Sequence, residues 1–381
     1  MNNDEFLKTL QSEMEDIFSR LHTNPEVSWK EHQTTSFLVQ HLEAIGLRVS
    51  TFEAFTGVIG EWGPLTAPVV ALRADIDALW QEVDEVWRAN HSCGHDAHMT
   101  MVLGAIKWIH YFMPDPQVRI RVLFQPAEEV GEGAKRFAEY GALKDVAYLF
   151  GVHVRPIQEL HVGKMAAAIY NGASTEIKGK ITGISAHGAR PHLGVNAIEV
   201  AFSILQAIQS IHMDPMVPHS AKMTQLQAGG DSANIIPESA TFTIDVRAQT
   251  NALMDALVEQ VEERITAISK MYQAKVQITR TGQTIAAEVS QEAQKIMASS
   301  IIEVMGPEAL SDDIITAGAE DFHYYSAMNP NLKATMLGVG CGVSPGLHHP
   351  HMTFDRRFLI EGAKILANAV MKANKQLQNH L

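Results

Sequence analysis

The segment His91–Thr100, H-S-C-G-H-D-A-H-M-T, gathers one cysteine, three histidines and an aspartate into ten residues. Gly94 separates Cys93 from His95 and lets the backbone turn tightly there. A thiolate and an imidazole so spaced can face one metal ion, and Asp96 can orient a ring by accepting its second N–H. Alone, the segment is equally a histidine-rich loop around a buried thiol. Other ligand types recur, however. Asp75 and Asp77 follow an apolar run in A-L-R-A-D-I-D-A-L, Glu128 and Glu129 follow another in V-L-F-Q-P-A-E-E, and His153 closes L-F-G-V-H-V. G-L-H-H-P-H then supplies His348, His349 and His351. A lone Glu-Glu pair is ordinarily a solvated turn, and a lone histidine after a strand is ordinarily structural. Jointly, a thiol, histidines and paired carboxylates at successive strand ends point to a hydrolytic metal centre. One carboxylate then binds an ion while its neighbour carries protons.

The elements that must position these groups follow from hydrophobic spacing. Leu7, Leu10, Met14, Ile17 and Leu21 predict a helix over 4–21 with Asp4 as its N-cap, and a second helix runs from about Glu31 to Ile45, stopped by Gly46. Strands are expected at 69–72, 118–124 and 147–154, alternating with helices at 98–111 and 133–140. Such alternation implies an α/β fold, a mostly parallel sheet flanked by helices, with ligands at the carboxyl ends of its strands. After Gly172 the order becomes strand 175–183, helix 196–211, strands 223–228 and 241–247, helix 253–272, strand 276–280. That is the ferredoxin-like split α+β unit. A helix (291–304), a strand (334–339) and a helix (355–376) then resume the first domain. The expected division is 1–173 and 286–381 for the catalytic domain, with 174–285 inserted.

The chain has 381 residues, 46% hydrophobic and 19% charged, as expected of a soluble protein of two domains. Its formal charge of −13 argues against nucleic acid and anionic membrane surfaces as partners. No apolar run is long enough to span a membrane, and the acidic start M-N-N-D-E-F is unlike a signal peptide. Two cysteines, Cys93 and Cys341, make no disulfide framework, so a cytoplasmic protein with reduced thiols is expected.

C-G-H-D-A-H, Q-P-A-E-E, G-V-H-V, A-H-G-A-R-P-H-L-G-V-N-A-I, N-I-I-P, A-E-D-F and L-H-x-P occur in this order over nearly the whole chain. In this the sequence resembles the aminoacylase-type metallopeptidases, which include hippurate hydrolases, N-acetyl-diaminopimelate deacetylases and auxin-conjugate amidohydrolases. The resemblance implies a di-metal catalytic domain interrupted by a dimerising lid, acting on small N-acyl amino acids. It makes Cys93, His95, Glu129, His153 and His348 the ligands of two divalent ions per subunit (zinc, manganese, nickel or cobalt). Glu128 matches the general base, and His187 matches a lid histidine that reaches a neighbouring subunit's site to stabilise an oxyanion. Asn234 and Arg247 match lid positions that hold a substrate carboxylate, although Arg247 is equally a strand-surface charge.

The sequence departs from the family's pattern near the site. Only 17 residues, 76–92, separate Asp75 from Cys93, and Trp80 stands where the family carries proline. The segment L-W-Q-E-V-D-E-V-W-R-A-N is expected to shape the mouth of the site, so the acyl group and amino acid stay open. Arg73 occupies the place of a ligand histidine in distant relatives and is not counted as a ligand. Asp75 joins the catalytic group as a residue that orients a ligand or holds Arg73. Gly342–Gly346 matches G-x-S-x-G, but the residue after the serine is Pro345, which has no N–H to offer an oxyanion. A redox role for Cys93 and Cys341 lacks a C-x-x-C. A dipeptidase, or a binding protein on a peptidase scaffold, remains as an alternative.

Overall fold

The computed structural model describes residues 2–378, which fold into two units. The first comprises residues up to Tyr170, Glu288–Ile315 and Asp321 onward; the second is Asn171–Ala287 with Thr316–Glu320.

The first unit is built on an eight-stranded sheet. Its four central strands, Arg119–Gln125, Val69–Asp75, Val146–Pro156 and Lys333–Val343, lie side by side and parallel. Val69–Asp75 and Arg119–Gln125 are buried throughout, as expected of strands covered on both faces. Arg48–Thr51 and Val58–Trp62 add an antiparallel hairpin at one edge, which the sequence reading missed. The helices Asn3–His22, His95–Phe112 and Leu359–Gln378 contribute Leu10, Met14, Met101, Val102, Ile365 and Leu366 to one large apolar core. The first of these is capped by Asn2, not Asp4. The Asn2 side chain accepts from the Glu5 N–H, and the earlier start brings Phe6 into the buried face.

The second unit runs strand, helix, strand, strand, helix, strand. Its sheet has the order His219–Ala228, Ser239–Ala248, Ala173–Thr182, Lys275–Thr284, antiparallel throughout, which is the ferredoxin-like arrangement. Ile177, Ile181, Phe242, Ile244 and Val246 of the sheet pack with Val200, Ile204, Leu257 and Val261 of helices Ala197–Gln209 and Asn251–Tyr272 in a core of their own.

Candidate metal centre

Four of the chemistry-bearing segments follow or end one of the parallel strands. Asp75 ends Val69–Asp75, the Glu128–Glu129 pair follows Arg119–Gln125, His153 lies near the carboxyl end of Val146–Pro156, and His348 follows Lys333–Val343. Cys93 and His95 stand at the N-terminus of helix His95–Phe112, with Gly94 in the left-handed region at φ 89°. A side chain at Gly94 would also strike Val154, its Cβ lying 2.5 Å from Cγ2, so both backbone and space require glycine.

The five expected ligands meet. Donor atoms of Cys93, His95 and His153 lie within 4.8 Å of one another, as do those of Cys93, Glu129 and His348, and those of His95, Glu128 and Glu129. Cys93 Sγ is 3.6 Å from His153 Nε2, and Glu129 stands 3.7 Å from His95 Nε2 and 3.6 Å from His348 Nε2. His95 Nδ1 donates to the Asp77 carbonyl at 2.9 Å, and His153 Nδ1 to the Val154 carbonyl at 2.6 Å. Carbonyls only accept, so each ring carries a proton on Nδ1 and turns its Nε2 inward.

These residues fit divalent cations. His95 Nε2 and Glu129 Oε1 are buried and have no hydrogen-bond partner among the described residues. Burial pushes Glu129 up to about 7 and, with Glu129 beside it, pushes the Cys93 thiol well above its ordinary value. Burial opposes charge on His95 too, but Asp75, Cys93 and Asp77 outweigh it and raise that ring well above its usual range. The acids and the thiol around His95 call for positive charge, which a second proton on its ring or a metal ion at its Nε2 can supply.

Asp75 faces elsewhere. It accepts from Arg73 Nη1 and from His98 Nδ1, both at 2.7 Å, and His98 Nε2 accepts from the Val154 N–H at 3.0 Å. Arg73, fully buried, also binds Gln125 and Asp321 at 2.9 Å. Asp75 thus holds Arg73 and orients His98, which braces the strand beside His153. Two supporting residues were missed. His98 lies three residues after His95 on the same helix, a visible spacing. Asp77 was noted at a strand end but given no role: its carboxylate accepts from the Glu129 N–H at 3.1 Å and from Ser28 Oγ at 2.6 Å.

The segment around Trp80 is an antiparallel hairpin, Leu79–Val83 with Val86–Asn90, turning through Asp84 and Glu85 at φ 53° and 64°. Gln81 Nε2 donates to the His348 carbonyl at 3.1 Å and Gln81 Oε1 accepts from Ser92 and Asn90; Trp80 and Trp87 are exposed.

His187, Asn234 and Arg247 belong to the second unit. His187 pairs with Ile235 in a short ribbon, and the Gly188 N–H donates to the Asn234 carbonyl at 2.7 Å, so the first two are neighbours. Arg247 Nε donates to Asp245 at 2.9 Å and Nη1 to the Ala317 carbonyl at 3.1 Å.

A family model described as Peptidase family M20/M25/M40 matches residues 71–372. The chain belongs to this family. It is 31% identical to the IAA-amino acid hydrolase ILR1-like 2 of Arabidopsis thaliana, covering 94% of this chain and 85% of that one. It is 29% identical to the N-acetyl-L-cysteine deacetylase of Bacillus subtilis, covering 97% and 91%. A putative aminohydrolase from methicillin resistant Staphylococcus aureus superposes with a TM-score of 0.87 at 24% identity, over 98% of this chain and 99% of that one. A dinuclear metal binding M20 peptidase from Bacillus subtilis gives 0.80 at 24% identity, over 97% and 99%. These structural likenesses are of fold.

Proposed function

We propose that the protein is a metal-dependent amidohydrolase that removes N-acyl groups from amino acids or small peptide-like amides, as a homodimer with two divalent ions per subunit. The observation that carries this reading is the shared position of Cys93. Its thiol belongs with His95 and His153 on one side and with Glu129 and His348 on the other, and the Glu128 carboxylate lies 3.8 Å from His95 Nε2.

Divalent ions held by Cys93, His95, Glu129, His153 and His348 would supply Lewis acidity toward the amide carbonyl and the attacking water. Thiolate and imidazole favour zinc, nickel or cobalt, and the carboxylate also admits manganese. Glu128 takes a proton from the attacking water and returns it to the departing amine, which leaves only when protonated. Asp77 and the Val154 carbonyl hold the imidazoles in the tautomer this work needs. His187 of a partner subunit stabilises the developing oxyanion, and Asn234 and Arg247 hold the substrate's carboxylate. In support of the dimer, the ten-residue edge strand His219–Ala228 exposes Leu226, and the adjacent helix exposes Ile198 and Phe202 one turn apart. No described helix is long and apolar enough to cross a membrane, and both buried cysteines are free, which agrees with a reducing compartment such as the cytoplasm.

The test measures metal content, solution mass and release of free amino acid from N-acetyl-, N-benzoyl- and indoleacetyl-amino acids. Near two ions per chain and turnover are expected. Glu128→Ala should keep the metal and lose roughly 10²–10⁴-fold in rate, the range for a removed general base. A metal-replete protein inert on every substrate would replace this reading with a dipeptide substrate or a binding role.

A further inference from the structure

Glu31 is a fully buried acid that the mechanism above does not use. It stands at the N-cap of helix His32–Ile45, yet its side chain makes no capping bond there. Glu26 does that work, accepting from the Gln33 and Thr34 N–H groups at 3.1 and 2.8 Å. The Glu31 carboxyl reaches across 96 residues of sequence instead, accepting from the Ala127 N–H at 3.0 Å, with its other oxygen on the Thr56 hydroxyl.

Ala127 is the residue before Glu128, and it sits in the left-handed region at φ 56°, which a residue with a Cβ occupies only when its surroundings impose it. Its peptide is gripped from both sides. Glu31 takes the N–H, and the carbonyl accepts from Gly133 at 3.2 Å and Glu132 at 3.4 Å. Gly133 leaves no slack, since a Cβ there would lie 1.7 Å from the Pro126 carbonyl oxygen. Ser28, three residues before Glu31, supports Glu129 in the same loop, since Ser28 donates to Asp77 and Asp77 accepts from the Glu129 N–H.

Resting on the reading of Glu128 as general base, we infer that Glu31 is a positioning residue for it: the Glu31 carboxyl fixes the left-handed Ala127 peptide and so aims the Glu128 side chain.

The experiment compares Glu31→Ala, Glu31→Gln and Thr56→Val in the manganese-loaded protein, by metal content, by kcat and KM on the best substrate of the screen, and by amide hydrogen exchange over 126–134. Glutamine can still accept from Ala127 through its carbonyl oxygen, while its amide donates to the Thr56 hydroxyl, which in the wild type donates to Glu31. Glu31→Ala should retain metal, lower kcat at least 10-fold with KM within threefold, and speed exchange at 127–129 at least 10-fold. Glu31→Gln should stay within threefold of wild type in both. Thr56→Val, which removes only the group that orients Glu31, should lower kcat about threefold and speed the same exchange; it decides the matter if Glu31→Ala fails to fold. Unchanged exchange in Glu31→Ala, or in Thr56→Val where that variant decides, overturns the inference, as does a Glu31→Gln as impaired as Glu31→Ala. The exchange readout needs no turnover, so an inert wild type would sink the hydrolase reading while exchange still judged Glu31's hold on the loop.

Discussion

His95 and His348 offer the same imidazole nitrogen to the same carboxylate, Glu129, at 3.7 and 3.6 Å, yet their side chains are 1% and 55% exposed. His95 is fixed by the fold's interior: the helix start at Gly94, the Asp77 carbonyl behind its ring, and a sheet buried on both faces. His348 sits on a loop at φ 64°, held by its N–H on the Ser92 carbonyl at 2.7 Å and by Gln81 on its own carbonyl. Of these two proposed ligands, the inner one is preorganised by packing and the rim one by a few hydrogen bonds, from Ser92 and from a surface hairpin. Chemically equal as proposed ligands, the two are therefore unequal in what their loss should do.

The largest contrast comes from deleting each imidazole. His95→Ala leaves the buried Asp77, Glu128 and Glu129 without their central partner. It should abolish both stoichiometric metal binding and turnover, beyond the roughly 10–100-fold that loss of an outer-shell partner costs. His348→Ala opens a position that water can fill, so one ion should remain tightly bound while the other becomes exchangeable. Metal analysis after dialysis against a weak chelator reads this directly; equal retention in the two variants would break the comparison.

A smaller effect isolates the hairpin. Gln81→Ala keeps every proposed ligand but removes Gln81's bonds to the His348 carbonyl and to the Ser92 and Asn90 side chains. The expected cost is about 10-fold in affinity for the weaker ion, the low end for outer-shell partners. Titration with a competing chelator checks it, and unchanged affinity would mean that the left-handed His348 holds itself in place.

The same contrast separates what was legible in the sequence from what was not. Val69–Asp75 stands out because its start, V-V-A-L, is an unbroken apolar run of the kind doubly covered parallel strands carry, and Arg119–Gln125 stands out through V-L-F. Cys93, His95, Glu128, Glu129, His153 and His348 stand out because their chemistry is scarce in such places. The hairpin 79–90 stayed hidden because its turn uses Asp84 and Glu85 at positive φ, where glycine or asparagine is the usual signal. The supports stayed hidden for another reason. Ser28, Glu31 and Gln81 are common surface residue types, and they act over sequence separations of 49, 96 and 267. Only the folded chain shows that they serve the site.

The smallest expected effect tests whether the interior side of the site is braced independently of its metals. Asp96, next to His95 but outside the donor set, is fully buried and binds His22 Nδ1 at 2.6 Å; the His22 side chain is 48% exposed. The hydrogen bond to Asp96 raises the His22 pKa. On Asp96 burial works the other way, but His22 and His91 outweigh it and lower that carboxyl. A raised histidine contributes stability that is fully present below its unfolded value, about 6.5, and is lost as pH rises through the folded value. A lowered aspartate contributes stability present above about 3.9 and lost as pH falls through the folded value. The charged pair is thus strongest between about pH 4 and 6.5. A charge-assisted bond discounted for the exposed ring is worth about 1–2 kcal/mol, so His22→Ala should lower Tm by about 2–4 °C at pH 5.5 and by less at pH 9. Metal affinity should stay within about twofold of wild type, since water replaces the outer partner without moving His95. An equal loss of stability at both pH values would show that the ring packs and does not pair. A fall in metal affinity would show that the helix start is not held by the sheet and Gly94 alone, and the inner ligand would then be as dependent on a surface contact as His348 is.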